Sequence, residues 1–371
     1  MKALPEKVRK TLEKIVAEMR ATENVYGIGL FGSWSRGDAT TSSDIDLLIL
    51  DKSNFNYEYV ERAEIGGLLI DLDHVPKRWI HGPIPPEIDQ KLYEMQILYD
   101  RDWSLNNTKL LGVKFYGSPE RVDIRTEAHV IESDIYLSRA TSAFSREDFL
   151  SAYLFATVAL ENILKVLVEI ALEPFSNSHF VERFEVSAAK MGMRDVFDEY
   201  LEITGLNKTD NLIAKDKMKL FKVIWDEMKA TTGQNLQTLE SSHFKVRTKL
   251  NYYLNPAFLQ GMMMRTNALI DSEKVIEASH YLNSVFLDIA ENYAWLKSSS
   301  EKTKLDYTTL MRSLESLEPE NPKNYGYMLK LLNLGEVDRL NAFKAIERTR
   351  EIMLKIRKER KVLIKNLLLK S

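Results

Sequence analysis

Tyr26–Lys52 reads YGIGLFGSWSRGDATTSSDIDLLILDK. Tyr26–Phe31 is a short apolar run of strand character. It ends in Gly32-Ser33, where the missing Cβ lets backbone N–H groups approach a ligand closely. Ser33 is expected to open a helix, so that its hydroxyl and the free N–H groups of the first turn form an anion site aided by the helix dipole. Arg36 adds a positive charge one turn on. Asp44 and Asp46 then stand at the head of DIDLLIL, a segment that otherwise has the apolar character of a buried strand. On a strand, residues i and i+2 project from the same face about 6.5–7 Å apart. Two carboxylates so placed repel by roughly a few kcal/mol at an effective dielectric near 20, which calls for a compensating cation. Hard oxygen ligands in this arrangement select Mg2+, with Mn2+ as the alternative.

Phosphoryl transfer assisted by two metal ions asks for a third carboxylate. The run GGLLIDLDHVP, Gly66–Pro76, supplies candidates. Asp71 and Asp73 alternate with Ile70, Leu72 and His74, so both acids share one face of a strand able to lie beside DIDLLIL. Asp73 is the first choice and Asp71 the second; His74 points the other way and reads as structural.

The rest of the chain sorts by periodicity. Strand-like runs fall at Tyr26–Phe31, Ile45–Leu50, Leu68–Val75 and Ile97–Tyr99. From about Thr126 onward apolar residues recur at helical spacing, clearest in SAYLFATVALENILKVLVEIAL, and eight to ten helices are expected. Breaks are expected near Glu173–Asn177, Thr204–Asp210, Thr231–Gln234, Asn255–Pro256, Lys297–Ser300 and Pro319–Pro322. The fold class is therefore α+β, with a mixed-sheet domain over 1–125, a helical bundle over 126–208 and a C-terminal helical domain over 209–371. The 371 residues carry 44% hydrophobic and 28% charged side chains, no cysteine and a formal net charge of −3. No cysteine means no disulfide, zinc thiolate or cysteine nucleophile, and a cytoplasmic address fits. The net charge offers no global attraction to nucleic acid. No apolar run suggests a membrane span, and MKALPEKVRKTLEKIVAEMR reads as an amphipathic helix rather than a leader.

The string Gly32-Ser33, Arg36-Gly37, Asp44-x-Asp46, followed by a later strand acid, resembles the DNA polymerase β-like nucleotidyltransferase superfamily, in particular its minimal and aminoglycoside-type members. Asp73, three residues before Pro76, matches the D-x-x-P ending of the third-acid strand in several branches. This resemblance covers about the first 125 residues. It implies two Mg2+ ions on Asp44, Asp46 and Asp73, and transfer of a nucleoside monophosphate from an NTP, ATP favoured, with release of pyrophosphate. Gly32 and Ser33 would bind the β- and γ-phosphates with help from Arg36, and Asp73 would draw the proton from the acceptor hydroxyl.

The segment from about Glu127 to Leu206 resembles the helical substrate-binding bundle of kanamycin-type transferases. Within it Lys165 is the candidate for a phosphate contact, and Glu161, four residues earlier, is placed to pair with it. The acceptor implied is a small-molecule hydroxyl. The alternatives are an RNA-directed enzyme of the CCA-adding or poly(A) type, a protein-directed transferase, and an inactive binding module of the same fold. The last helix, from about Val337 to Lys370, carries Arg348, Arg350, Lys355, Arg357, Lys358, Arg360 and Lys361, and it reads as a solvated helix face or an RNA contact. The block Asn251–Ser300, rich in Tyr, Phe and Met, reads as core or as the interface of a homo-oligomer.

Overall fold

The apolar run before Gly32 and the DIDLLIL segment become the centre of a five-stranded sheet. Its strands are β1 (Val25–Phe31), β2 (Ile45–Asp51), β3 (Tyr59–Ile65), β4 (Leu68–Pro76) and β5 (Gln96–Asp100), in the order β3-β4-β2-β1-β5. Strands β2 and β4 run parallel and every other pairing is antiparallel. The sheet is therefore mixed. This computed structural model describes residues 4–317 and 322–367. The break expected at Pro319–Pro322 begins outside those residues, and the helix end expected at Lys370 lies outside them.

Strand alternation divides the core into two layers. Leu47 and Ile49 pack with Val8, Leu12 and Ile15 of the amphipathic helix Glu6–Met19. Leu48 and Leu50 pack with Val75, Ile88, Leu92, Met95 and Leu105. All four β2 residues are at most 1% exposed. Burying each such side chain stabilises the fold by roughly 1.5–3 kcal/mol, so β2 is a rigid support for acids at its head. Asp46, two residues before Leu48, shares that residue's face.

Strand β3, YVERAEI, has no counterpart among the strands expected from sequence. It is an edge strand rich in charge, which erases the apolar alternation. Its partner register runs Ile65↔Leu68 around Gly66 and Gly67, whose φ angles are 61° and 72°. Two consecutive left-handed residues make the tight hairpin turn that suits paired strands.

Contacts divide the chain into two units, 1–117 with 243–265, and 118–242 with 266–371. The division expected near residue 125 falls inside the helix Pro119–Ser145, and residues 126–208 and 209–242 share one unit. The first unit recruits a distant segment, the helix Phe244–Tyr253 and the start of the helix Pro256–Asp271. Phe244 meets Tyr59 of β3 edge-on at 5.5 Å, and Asn255 Nδ2 donates to the Arg62 carbonyl at 3.0 Å.

Among the described residues of the second unit the regular elements are all helices. Pro119–Ser145 and Phe149–Ile170 form a hairpin in which Asp148 caps the second helix by accepting from the Ser151 N–H at 3.1 Å. Arg339–Leu367 packs against both, so Ile352, Met353 and Ile356 of the basic helix serve the core. The described residues from 118 onward form twelve α-helices. The excess over expectation comes from stops without proline, such as Gly192 at φ 69° and Glu273 at φ 61°. Phe149–Ile170 is also longer and more apolar than the sequence reading allowed. Length and composition would let it cross a membrane, yet 67% of its apolar window is buried in the protein.

Candidate active site

The β1–β2 ladder pairs Phe31 with Asp46, which brings the next residue, Gly32, against the Asp46 carboxylate. Gly32 has φ +71°, and a Cβ there would lie 3.1 Å from Asp46 Cγ and closer still to Oδ2. Glycine alone satisfies both the backbone angle and the close approach. The chain continues into the short helix Gly32–Arg36, closed by Gly37 at φ 84°. Phe31 takes the N-cap position, so Ser33 sits inside the first turn and does not cap it as expected.

The donors expected to meet phosphate meet a protein carboxylate. Gly32 N–H donates to Glu94 Oε2 at 3.2 Å and Arg36 Nη1 to the same oxygen at 2.7 Å, while Gln90 Nε2 donates to Oε1 at 2.6 Å. Ser35 Oγ donates to the Glu94 carbonyl at 2.5 Å. The Glu94 side chain is 5% exposed. Burial raises its carboxyl above the usual range against the pull of Arg36. The Gly32-Arg36 donor set thus binds an anion, and here the anion is supplied by the helix Asp89–Glu94.

The parallel register Asp46↔Asp71 completes the acid group. One carboxylate oxygen from each of Asp44, Asp46 and Asp71 lies within 4.8 Å of the others. Arg62, opposite Asp71 across the β3–β4 ladder, donates from Nε to Asp71 Oδ1 at 2.6 Å and from Nη2 to Asp71 Oδ2 and Asp44 Oδ2. Arg265 Nη2 donates to Asp44 Oδ1 at 2.6 Å, and Tyr252 Oη to Asp71 Oδ2 at 2.9 Å. Burial alone would raise the Asp44 carboxyl, but Arg265 and Arg62 outweigh it and hold it at about 2. Burial, together with the charges of Asp44 and Asp71, pushes Asp46 well above the carboxylate range.

Asp73, the first choice from sequence, does not join this group. Its register partner is Leu48, one same-face step farther along the sheet, about 7 Å from the Asp71 position. There it is 3% exposed and ion-paired with Lys91, which also reaches Glu58 at 2.9 Å. Burial, opposed by Lys91, lifts its carboxyl to about 6. Asp71, ranked second, is the strand acid that meets Asp44 and Asp46. His74 stacks on Tyr59 at 4.7 Å, in keeping with a structural role. Lys165 and Glu161 belong to the helical unit, where they pair at 3.1 Å and His280 Nε2 lies 3.0 Å from Glu161.

Four groups of this site went unread in the sequence: Arg62, Glu94, Tyr252 and Arg265. Pairing β3 to β4 through Gly66-Gly67 would have placed Arg62 opposite Asp71. Glu94 has no motif of its own, and Tyr252 and Arg265 arrive from a segment with no local link to the acids.

The acid group suits a divalent cation. Its donors are hard oxygens that converge within 4.8 Å, and the missing Cβ of Gly32 lets the Asp46 carboxylate pack directly against the glycine bend. Asp44, Asp46 and Asp71 are the residues that could hold such an ion, which would offset their mutual repulsion.

A family model described as "Nucleotidyltransferase domain" matches residues 9–102, which include the whole sheet and all three acids. A candidate protein adenylyltransferase of Methanocaldococcus jannaschii is 38% identical over 90 residues, covering 22% of this chain and 87% of that protein. A solved nucleotidyltransferase-like protein of Exiguobacterium sibiricum aligns over 88% of this chain and 91% of its own, at 14% identity and a TM-score of 0.33. With its sheet, its glycine bend and its acids inside the matched segment, the chain belongs to the nucleotidyltransferase family and is a nucleotidyltransferase enzyme.

Proposed function

We propose that the enzyme transfers AMP from ATP to an acceptor hydroxyl and releases pyrophosphate, using a divalent cation at Asp44 and Asp46. The observation that carries this reading is the convergence of Asp44, Asp46 and Asp71 beside Gly32. In this reaction the acceptor oxygen attacks the α-phosphorus, the bond to pyrophosphate breaks, and the hydroxyl proton passes to a carboxylate of the group. The bound ion supplies charge stabilisation to the phosphate oxygens. Gly32 N–H and Arg36 receive the leaving pyrophosphate once Glu94 gives way, and fixed donors of this kind stabilise charge as it develops. ATP is favoured because the M. jannaschii relative is named an adenylyltransferase.

The acceptor we favour is a small-molecule hydroxyl, on the resemblance of residues 127–206 to a substrate-binding bundle. Lys165 is proposed for a phosphate contact within that bundle. A protein side-chain hydroxyl is the second reading, favoured by the relative's name. Incubation with ATP labelled at the α- or the γ-phosphate, Mg2+ and acceptor pools tests both. Transfer of the α-label with release of γ-labelled pyrophosphate supports AMP transfer, and the mass of the labelled product separates small molecule from protein. Transfer of the γ-label to the acceptor would overturn the proposal.

A further inference from the structure

Arg62 is built into the acid group rather than laid across it. Its side chain is 2% exposed and makes a two-pronged contact with both oxygens of Asp71 while also reaching Asp44. The guanidinium carbon lies 5.4 Å from the ring centre of Tyr252 and 5.2 Å from that of Phe258, so two aromatic faces hold the cation. The Arg62 carbonyl is tied to Asn255, and a Cβ at Gly261 would sit 2.9 Å from Nη1, so the backbone of the helix Pro256–Asp271 closes that side. Tyr252 Oη adds a third donor to Asp71. Asp71 thereby accepts three protein donors, two of them on Oδ2, whereas Asp44 accepts one on each oxygen, from Arg265 on Oδ1 and from Arg62 on Oδ2. Asp46 differs: among the described residues no side-chain hydrogen bond or ion pair to it is found, although its Oδ2 packs against Gly32 and the charges of Arg265 and Arg62 reach it.

We infer that Arg62 is a permanent second cation of this active site, so that the three acids hold one divalent ion, on Asp46 and Asp44, where the family resemblance implies two. The charges agree. Three carboxylates carry −3, Arg62 and Arg265 supply +2, and one divalent ion leaves the group at +1, facing an incoming polyphosphate. A second divalent ion would raise it to +3 and would have to displace a guanidinium that packs over two adjacent rings and pairs with two carboxylates. This inference rests on the proposed metal-dependent transfer.

The test is Mn2+ titration of the full chain with α,β-methylene-ATP, read by electron paramagnetic resonance. We expect one bound Mn2+ per chain, an uncoupled signal, and loss of that ion in Asp46→Asn. Two ions in a two-metal site lie about 3.5–4 Å apart and give an exchange-coupled signal. Such a pair in the wild-type protein would overturn the inference while leaving AMP transfer intact. Absence of Mn2+ binding together with absence of pyrophosphate release would overturn both. In Arg62→Met, checked for folding by circular dichroism, a second Mn2+ is expected to bind; a folded variant that still takes one ion counts against Arg62 as the excluding group. If this variant does not fold, the wild-type stoichiometry decides.

Discussion

Gly32 and Asp46 are so close that a single added carbon would force them apart: a Cβ on Gly32 would lie 3.1 Å from Asp46 Cγ and closer still to Oδ2. The Gly32→Ala substitution therefore strains the backbone by about 1–2 kcal/mol at its positive φ and also displaces the carboxylate. A shift of the order of 1 Å in a catalytic group costs about 100-fold in rate. Gly32→Ala is expected to lose at least that much activity and to bind Mn2+ more weakly, with a melting temperature only a few degrees below wild type. Steady-state kinetics and a thermal melt check this.

Glu94 competes for the donors that a nucleotide phosphate needs, since Gly32 N–H and Arg36 both meet its Oε2. Glu94→Gln keeps the shape and removes the charge, so KM for ATP is expected to fall several-fold with little change in kcat. A tenfold rise in KM would instead make Glu94 the organiser of those donors.

The legible part of this protein was the local part. Gly32, Asp44 and Asp46 sit in one stretch, with their chemistry written in short spacings, and four of the five strands read from apolar runs. Failures came where tertiary contact decides. Asp71 and Asp73 share a strand face, and only the β2–β4 register, Asp46 opposite Asp71, chooses between them. Arg62 lies on the charged edge strand that has no apolar period. Tyr252 and Arg265 reach Asp71 and Asp44 across 181 and 221 residues of chain, a separation no local pattern encodes.

Lys217, in the helical unit, is 3% exposed and donates to Asn283 Oδ1 at 3.1 Å. Burial lowers its ammonium from an ordinary value of 10.5 to about 7. Between those pH values the unfolded chain holds a proton that the folded chain does not, so this residue makes stability rise with pH, by about 1.4 kcal/mol per unit at most. Below pH 7 both states are charged and the slope vanishes. Lys217→Met is expected to be more stable than wild type at pH 7 and below, with the difference shrinking toward pH 10. Denaturant unfolding of both proteins across that range measures it; a difference independent of pH would show that Lys217 titrates normally.

In the proposed reaction Asp44, Asp46 and Asp71, without Asp73, form the reacting acid group. The most direct measurement is Mg2+-dependent pyrophosphate release from ATP by wild type, Asp46→Asn, Asp71→Asn and Asp73→Asn, each corrected for folded fraction. Asp46→Asn and Asp71→Asn are expected to fall by roughly 100-fold or more, the scale of losing one preorganised electrostatic group, while Asp73→Asn stays within several-fold of wild type. An inactive Asp73→Asn beside a fully active Asp71→Asn would contradict the account.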